Sequence, residues 1–144
     1  HKNPFANKGF LMLKTIAKHS DVLIDRFRVK TPSRDTKAGN LSGGNIQKVV
    51  LAREISRQPR VLIAAQPSRG LDVGATEYVH AQLLEQRGNG TAIMMISEDL
   101  DEIMGLSDRI AVMCEGELMG IVPRDEATPE KLGLMMAGVA PEEA

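Results

Sequence analysis

Hydrophobic positions along this chain alternate between helical stripes and short solid runs. Phe10, Leu13, Ile16 and Ala17 recur at helical spacing, as do Val22, Leu23, Ile24 and Phe27, and together they predict two short helices. The stretch from Val29 to Asn40 carries Pro32, Ser33, Asp35 and Gly39 and reads as a loop. A third helix is predicted from Asn45 to about Arg57, with Ile46, Val49, Val50 and Ile55 as its buried stripe. Val61 to Ala65 is apolar without alternation, the pattern of a parallel strand covered on both faces. Ala75, Tyr78, Val79 and Leu83 mark another helix that ends near Gly88-Asn89-Gly90, and Thr91 to Ser97 reads as a second buried strand.

Ser97 is placed to cap a helix whose first turn holds Glu98, Asp99, Asp101 and Glu102, acids suited to a positive helix end. Arg109–Cys114 and Leu118–Val122 flank Glu115-Gly116, which predicts a β-hairpin. Thr128 as cap and Pro129 at the first helical position open a last helix that ends near Gly138, and Pro141 to Ala144 reads as a frayed tail. Strands alternating with helices point to the α/β class and a layered sheet. No internal repeat, low-complexity run or long linker interrupts the chain.

Composition narrows the functional classes. A chain of 144 residues fits one domain, large enough to bury a core. A net charge of −1 gives no footprint for nucleic acid, and the lysines and arginines are spread along the chain. Apolar runs such as Ala92–Ile96 are about five residues long, far short of the roughly 18–20 that span a bilayer. With no secretory signal, membrane association has to run through a protein partner. Cys114 is the single cysteine; it lies in an apolar strand and suits a reducing compartment and a core position. His19 and His80 lack metal-ligand neighbours, and the eight methionines read as adaptable packing. Asp99, Asp101 and Glu102 lack the convergent partners of a two-carboxylate catalytic site.

Residues 41 to 48, Leu-Ser-Gly-Gly-Asn-Ile-Gln-Lys, concentrate the chemistry. A serine and two glycines at a helix start present a hydroxyl and first-turn N–H groups at the positive end of the helix dipole. That is a seat for a phosphate, and glycine keeps a Cβ from holding the anion off the backbone. Taken alone, the tetrapeptide Ser-Gly-Gly-Asn reads equally well as a loop leading to a helix cap. The residues C-terminal to it decide between the two: a helix, the strand Val61–Ala65, then Gln66-Pro67-Ser68-Arg69-Gly70-Leu71-Asp72.

This order resembles the second half of the nucleotide-binding subunit of an ABC transporter: signature, Walker B strand and D-loop. The stretch Gly70 to Ala75, Gly-Leu-Asp-Val-Gly-Ala, is similar to that of subunits serving simple-sugar (ribose-type) and nucleoside importers. The likeness covers nearly everything from Asp21 onward. No Gly-x-x-x-x-Gly-Lys-Ser/Thr occurs, so the phosphate loop is absent. The resemblance therefore implies a fragment of a longer polypeptide with a partial P-loop NTPase fold, and His1 in place of methionine reads as a cloning remnant. Residues 1–40 would be a remnant of the helical subdomain and its loop, and residues 41–144 the C-terminal half of the nucleotide-binding domain.

The resemblance implies more. ABC cassettes pair head to tail, each ATP with Mg²⁺ lying between one half's Walker A and the other's signature. Leu41, Ser42, Gly43, Gly44 and Asn45 would form the nucleotide-binding signature, with Ser42, Gly43 and Gly44 at the γ-phosphate of a nucleotide held by another cassette. Gln47 would meet ribose or the facing loop, and Ile46 departs from the glutamine usual in ribose-type subunits. Asp72 matches the D-loop aspartate, with a helix N-cap as its plainer role; Arg69 would pair across the same interface or be simply solvated.

The hydrolytic positions depart further. Ala65 and Gln66 stand where the family carries Asp-Glu, and Glu98 stands where it carries the γ-phosphate histidine, so Gln66 and Glu98 are degenerate catalytic positions. A methyl group offers no oxygen to Mg²⁺, and an amide is no general base near neutral pH. The plainer role of Glu98 is a helix first-turn acid.

The expected whole is an ATPase subunit peripheral to the cytoplasmic face of the inner membrane, docked on a permease and served indirectly by a periplasmic or lipoprotein substrate-binding protein. This half would supply the signature in trans and be inactive alone. Rival readings are a nucleotide-insensitive scaffold that contacts the permease, and a soluble non-transport ABC protein acting in translation or repair.

Overall fold

The computed structural model describes residues 5–139; His1 and the tail from Pro141 to Ala144 lie outside them. The described residues gather into two compact units, where the chain length suggested one packed body. The first holds the chain up to Leu62 and then Ser68–Ile93; the second holds Ile63–Pro67 and the chain from Met94 onward.

The first unit opens with a two-residue ladder of β1 (Ala6–Asn7) and β2 (Phe10–Leu11), turned by Lys8 and Gly9, both at positive φ. One helix, α1 (Leu13–Arg26), then replaces the two expected, and Phe10 belongs to a strand instead. Nothing between Ala17 and Asp21 breaks a helix, and Ser20 Oγ settles its hydroxyl by donating to the Ile16 carbonyl at 3.0 Å. Arg28, at φ 51°, ends α1: its N–H donates to the Asp25 carbonyl, and that of Val29 to the Ile24 carbonyl. These two bonds and the apolar contact of Val29 with Ile24 make a Schellman stop.

Phe27 and Val29 then bury against Ala52 and Ile55 of α2 (Gly43–Ile55). Helix α2 starts at Gly43, two residues before the expected Asn45. Its expected stripe is corrected: Ile55 is buried, joined by Ala52, whereas Ile46, Val49 and Val50 are partly exposed. The side of α2 that packs on the end of α1 carries Ala52 and Ile55, so the other three point elsewhere. Helix α3 (Val73–Gly88) buries Val79, Leu83 and Gln86.

Strand β3 (Val61–Ala65) pairs with β4 (Ala92–Ile96). Ala92 N–H donates to the Arg60 carbonyl at one end, and Gln66 N–H to the Ile96 carbonyl at the other, so both strands run the same way. The expectation that β3 is covered on both faces fails. Val61 and Ile63 are 62% and 66% exposed, because the sheet is two strands wide and only Leu62 is buried. Among the described residues, three separate two-stranded sheets stand in place of one layered sheet.

In the second unit, α4 (Leu100–Leu106) is capped by Asp99, whose carboxylate accepts from Asp101 and Glu102 N–H, and not by Ser97 as expected. Strands β5 (Arg109–Cys114) and β6 (Glu117–Pro123) form the expected antiparallel hairpin. Glu115 and Gly116, at φ 50° and 87°, supply the two left-handed residues of a tight hairpin turn. Thr128 caps α5 (Pro129–Met136) by accepting from Lys131 N–H at 3.2 Å, and Gly138 at φ 89° terminates it. Leu132 and Met135 of α5, both 0% exposed, close the core over Ile110, Val112 and Val122.

Candidate functional site

Two groups of residues singled out in the sequence lie in different units and are described separately. The first is the turn into α2. Ser42 is its N-cap residue, extended at φ −65° and ψ 157°, yet its side chain makes no cap hydrogen bond. A serine at this position ordinarily spends its oxygen on its own helix's first-turn amides. Here that oxygen accepts instead from Asn45 Nδ2 at 2.9 Å, and Asn45 Oδ1 accepts from Lys30 N–H at 2.8 Å. Ser42 and Gly43 are exposed, and a Cβ built on Gly43 meets nothing within 4 Å.

Gly44 is a different glycine. A Cβ there would stand 3.0 Å from Ala75 Cβ, so its missing side chain lets α2 and α3 approach. Asp72 caps α3 by accepting from Ala75 N–H at 2.8 Å, which is the plainer of its two expected roles. The Gly44 turn and the Asp72 cap thus share Ala75 as neighbour. Leu41 packs on the Phe27 cluster, and Gln47 is half-buried.

Sequence reasoning missed the support behind this turn. Lys48 Nζ donates to the Arg28 carbonyl at 3.2 Å and stands 4.7 Å from the centre of the Tyr78 ring. Burial pushes the Tyr78 phenol above its ordinary value of 10.0, and Arg28 partly offsets the rise. Lys48 thus links the residue that ends α1 to α3, and no motif announces it. A groove of about 480 Å³ along the end of α1, lined by Asp21, Asp25, Arg28, Lys30 and Arg34 among others, contains none of the signature residues.

The second group sits where β3 and β4 end. Ala65 closes β3, and Gln66 comes next at φ 49° with its N–H bonded to the Ile96 carbonyl at 2.7 Å. Glu98 is exposed and precedes the Asp99 cap, so it is not the first-turn acid that sequence suggested. Among the described residues no three His, Cys, Asp or Glu assemble as a metal-ligand set. The donor chemistry at residues 65 and 66, a methyl group and an amide, does not fit Mg²⁺. The Ser42–Gly44 turn, with an open glycine, first-turn N–H groups that the Ser42 side chain does not cap, and a hydroxyl whose proton the Asn45 contact leaves free, does fit a phosphate. Among the described residues, no helix is long and apolar enough to cross a membrane.

No family model matches the chain. A guanosine import ATP-binding protein of Bacillus subtilis is 49% identical over 144 residues, all of this chain and 28% of that protein. A nucleoside import ATP-binding protein of Lactococcus lactis is 46% identical over 96% of the chain and 27% of that protein. A ribose import ATP-binding protein of Oceanobacillus iheyensis is 47% identical over 90% of the chain and 26% of that protein. The chain thus spans little more than a quarter of these relatives. In fold it matches an ATP-binding cassette dimer bound to ADP and Pi, with a TM-score of 0.68 and 21% identity over 82% of this chain and 51% of that one. A second ATP-binding cassette of an ABC transporter gives a TM-score of 0.70 and 20% identity over 90% of this chain and 53% of that one. The likeness in fold together with the identity to import ATP-binding proteins places the chain in the ATP-binding cassette family, as part of a nucleotide-binding domain.

Proposed function

We propose that the chain is part of the second cassette of an ATP-hydrolysing subunit that drives uptake of a simple sugar or nucleoside. Residues 1–40 belong to the helical subdomain on this reading, and residues 41–144 to the later half of the nucleotide-binding domain. The whole subunit works peripherally at the cytoplasmic face of the membrane, on a permease fed by a substrate-binding protein.

The chain's own task is to present Ser42, Gly43 and Gly44 to the γ-phosphate of an ATP held by the facing cassette. The observation that carries this is the Ser42 hydroxyl: its residue is exposed at a helix N-terminus, and its oxygen caps no backbone N–H and accepts from the Asn45 side chain. When bound, ATP with Mg²⁺ supplies the phosphoryl group to be cleaved. This chain's residues bind and orient it: Ser42 donates a hydrogen bond, first-turn N–H groups point at the anion, and Gly43 admits it to the backbone. Asp72 stiffens the adjacent helix start, and Gln47 flanks the turn.

Hydrolysis at the site carrying Ala65, Gln66 and Glu98 is not supported by these side chains. A carboxylate at residue 98 repels a triphosphate, and loss of one positioned donor alone costs about 10²–10³ in rate. The facing cassette therefore brings the base and switch residues for the competent site.

Gly43→Val in the full-length subunit is expected to lower transport-coupled ATP hydrolysis by at least about 10²-fold. The triple change Ala65→Asp, Gln66→Glu and Glu98→His is expected to alter it little. Hydrolysis that survives Gly43→Val would leave the nucleotide-insensitive scaffold as the better reading.

A further inference from the structure

Asn45 was expected to touch nucleotide, yet its two side-chain polar atoms are both committed within the protein. Its Oδ1 accepts from Lys30 N–H at 2.8 Å, and its Nδ2 lies 2.9 Å from Ser42 Oγ. The first bond fixes the second. A backbone N–H can only donate, so the amide oxygen must face Lys30, and the NH₂ is left facing Ser42. An NH₂ only donates, so the Ser42 oxygen is an acceptor in this contact and its own proton points away from Asn45. The Ser42 side chain makes no cap hydrogen bond to its own helix, and its residue is exposed.

We propose that Asn45 is a positioning residue: anchored by the Lys30 amide, it turns the Ser42 hydroxyl into a donor aimed outward at the γ-phosphate oxygen. The inference rests on the reading of Ser42–Gly44 as a phosphate turn in trans. It moves Asn45 from nucleotide contact to control of its neighbour. It also ties the turn to the loop after α1, because Lys30 lies just beyond the Arg28 stop. A shift of that loop would release Asn45 and free the Ser42 hydroxyl to rotate.

Asn45→Asp tests this with little change of shape. The carboxylate still accepts from Lys30 N–H, but its second oxygen also accepts only, so it draws the Ser42 proton back toward itself. In the full-length subunit, affinity for a non-hydrolysable ATP analogue and the hydrolysis rate are measured for Asn45→Asp, Ser42→Ala and the double variant. Amide hydrogen exchange at Lys30 is followed without nucleotide. Asn45→Asp is expected to cost as much as Ser42→Ala, and to add less than about threefold once Ser42 is already alanine. Lys30 exchange is expected to stay slow in Asn45→Asp and to become fast in Asn45→Ala.

Equal losses from Asn45→Asp with and without Ser42 would mean that the added charge acts by itself, and would overturn the proposal. So would an Asn45→Asp subunit that binds and hydrolyses normally while Ser42→Ala does not. If Ser42→Ala itself leaves binding and hydrolysis intact, the phosphate-turn reading falls first and takes this inference with it.

Discussion

At the scale of single residues, the two signature glycines divide their work. Gly43 faces open space, so a side chain there threatens only what approaches from outside, whereas a Cβ on Gly44 would sit 3.0 Å from Ala75. Gly44→Ala forces two Cβ atoms, neither able to rotate away, closer than ordinary carbon contact at about 3.5–4.0 Å. The expected result is a stability loss of about 1–3 kcal/mol in chemical denaturation, largely restored by Ala75→Gly in the double variant. Gly43→Val is expected to leave stability nearly unchanged, so the pair of measurements separates packing from ligand approach. The sequence could not distinguish the two glycines, because the difference lies in Ala75, thirty-one positions along the chain. The role proposed for Asn45 was equally hidden, since it depends on the Lys30 amide, fifteen positions earlier in the chain.

Among elements, those governed by local chemistry were legible and those governed by distant neighbours were not. The hairpin was readable from Glu115-Gly116, and α5 from Thr128-Pro129, because turn and cap signals act within four residues. The start of α4 was misread: Ser97 and Asp99 are both good caps, and Asp99 wins by reaching two N–H groups while Ser97 Oγ accepts from Asp99 N–H. Burial of β3 could not be read at all, because cover on both faces needs strands and helices that local pattern does not specify. Thr128→Ala is expected to destabilise by about 1 kcal/mol through the lost cap.

For α3, Tyr78 gives a pH signature. Burial raises its phenol above 10.0 in the folded protein, with Arg28 and Arg26 opposing and Glu85 adding to the rise. The folded state therefore holds that proton more tightly than the unfolded chain. Its contribution is complete below pH 10 and is lost as pH climbs through the raised value. Tyr78→Phe is expected to flatten the loss of thermal stability above pH 10, and an unchanged alkaline profile would refute the assignment.

Across the whole molecule, two compact units with separate cores imply separable responses to damage. Leu132, 0% exposed, closes the core over the hairpin, and Phe27, 1% exposed, closes the one between α1 and α2. Leu132→Ala is expected to cost about 2–5 kcal/mol and to speed amide exchange in β5, β6 and α5 while leaving α2 protected. Phe27→Ala is expected to do the reverse. A uniform rise across both units would show one cooperative body instead. Membership of the cassette family was readable from an ordered run of motifs, whereas the division into two units was not, because chain length alone argued for one.

The central claim is that Ser42, Gly43 and Gly44 serve a triphosphate carried by another cassette, and its most direct test is chemical. An ATP analogue with a photoreactive group on the γ-phosphate is bound to the full-length subunit, irradiated, and the labelled peptides are mapped. Label is expected on the peptide holding residues 42–44, lost in Gly43→Val and indifferent to changes at residues 65, 66 and 98. Label confined to other peptides, with this turn untouched while nucleotide is bound, would contradict it.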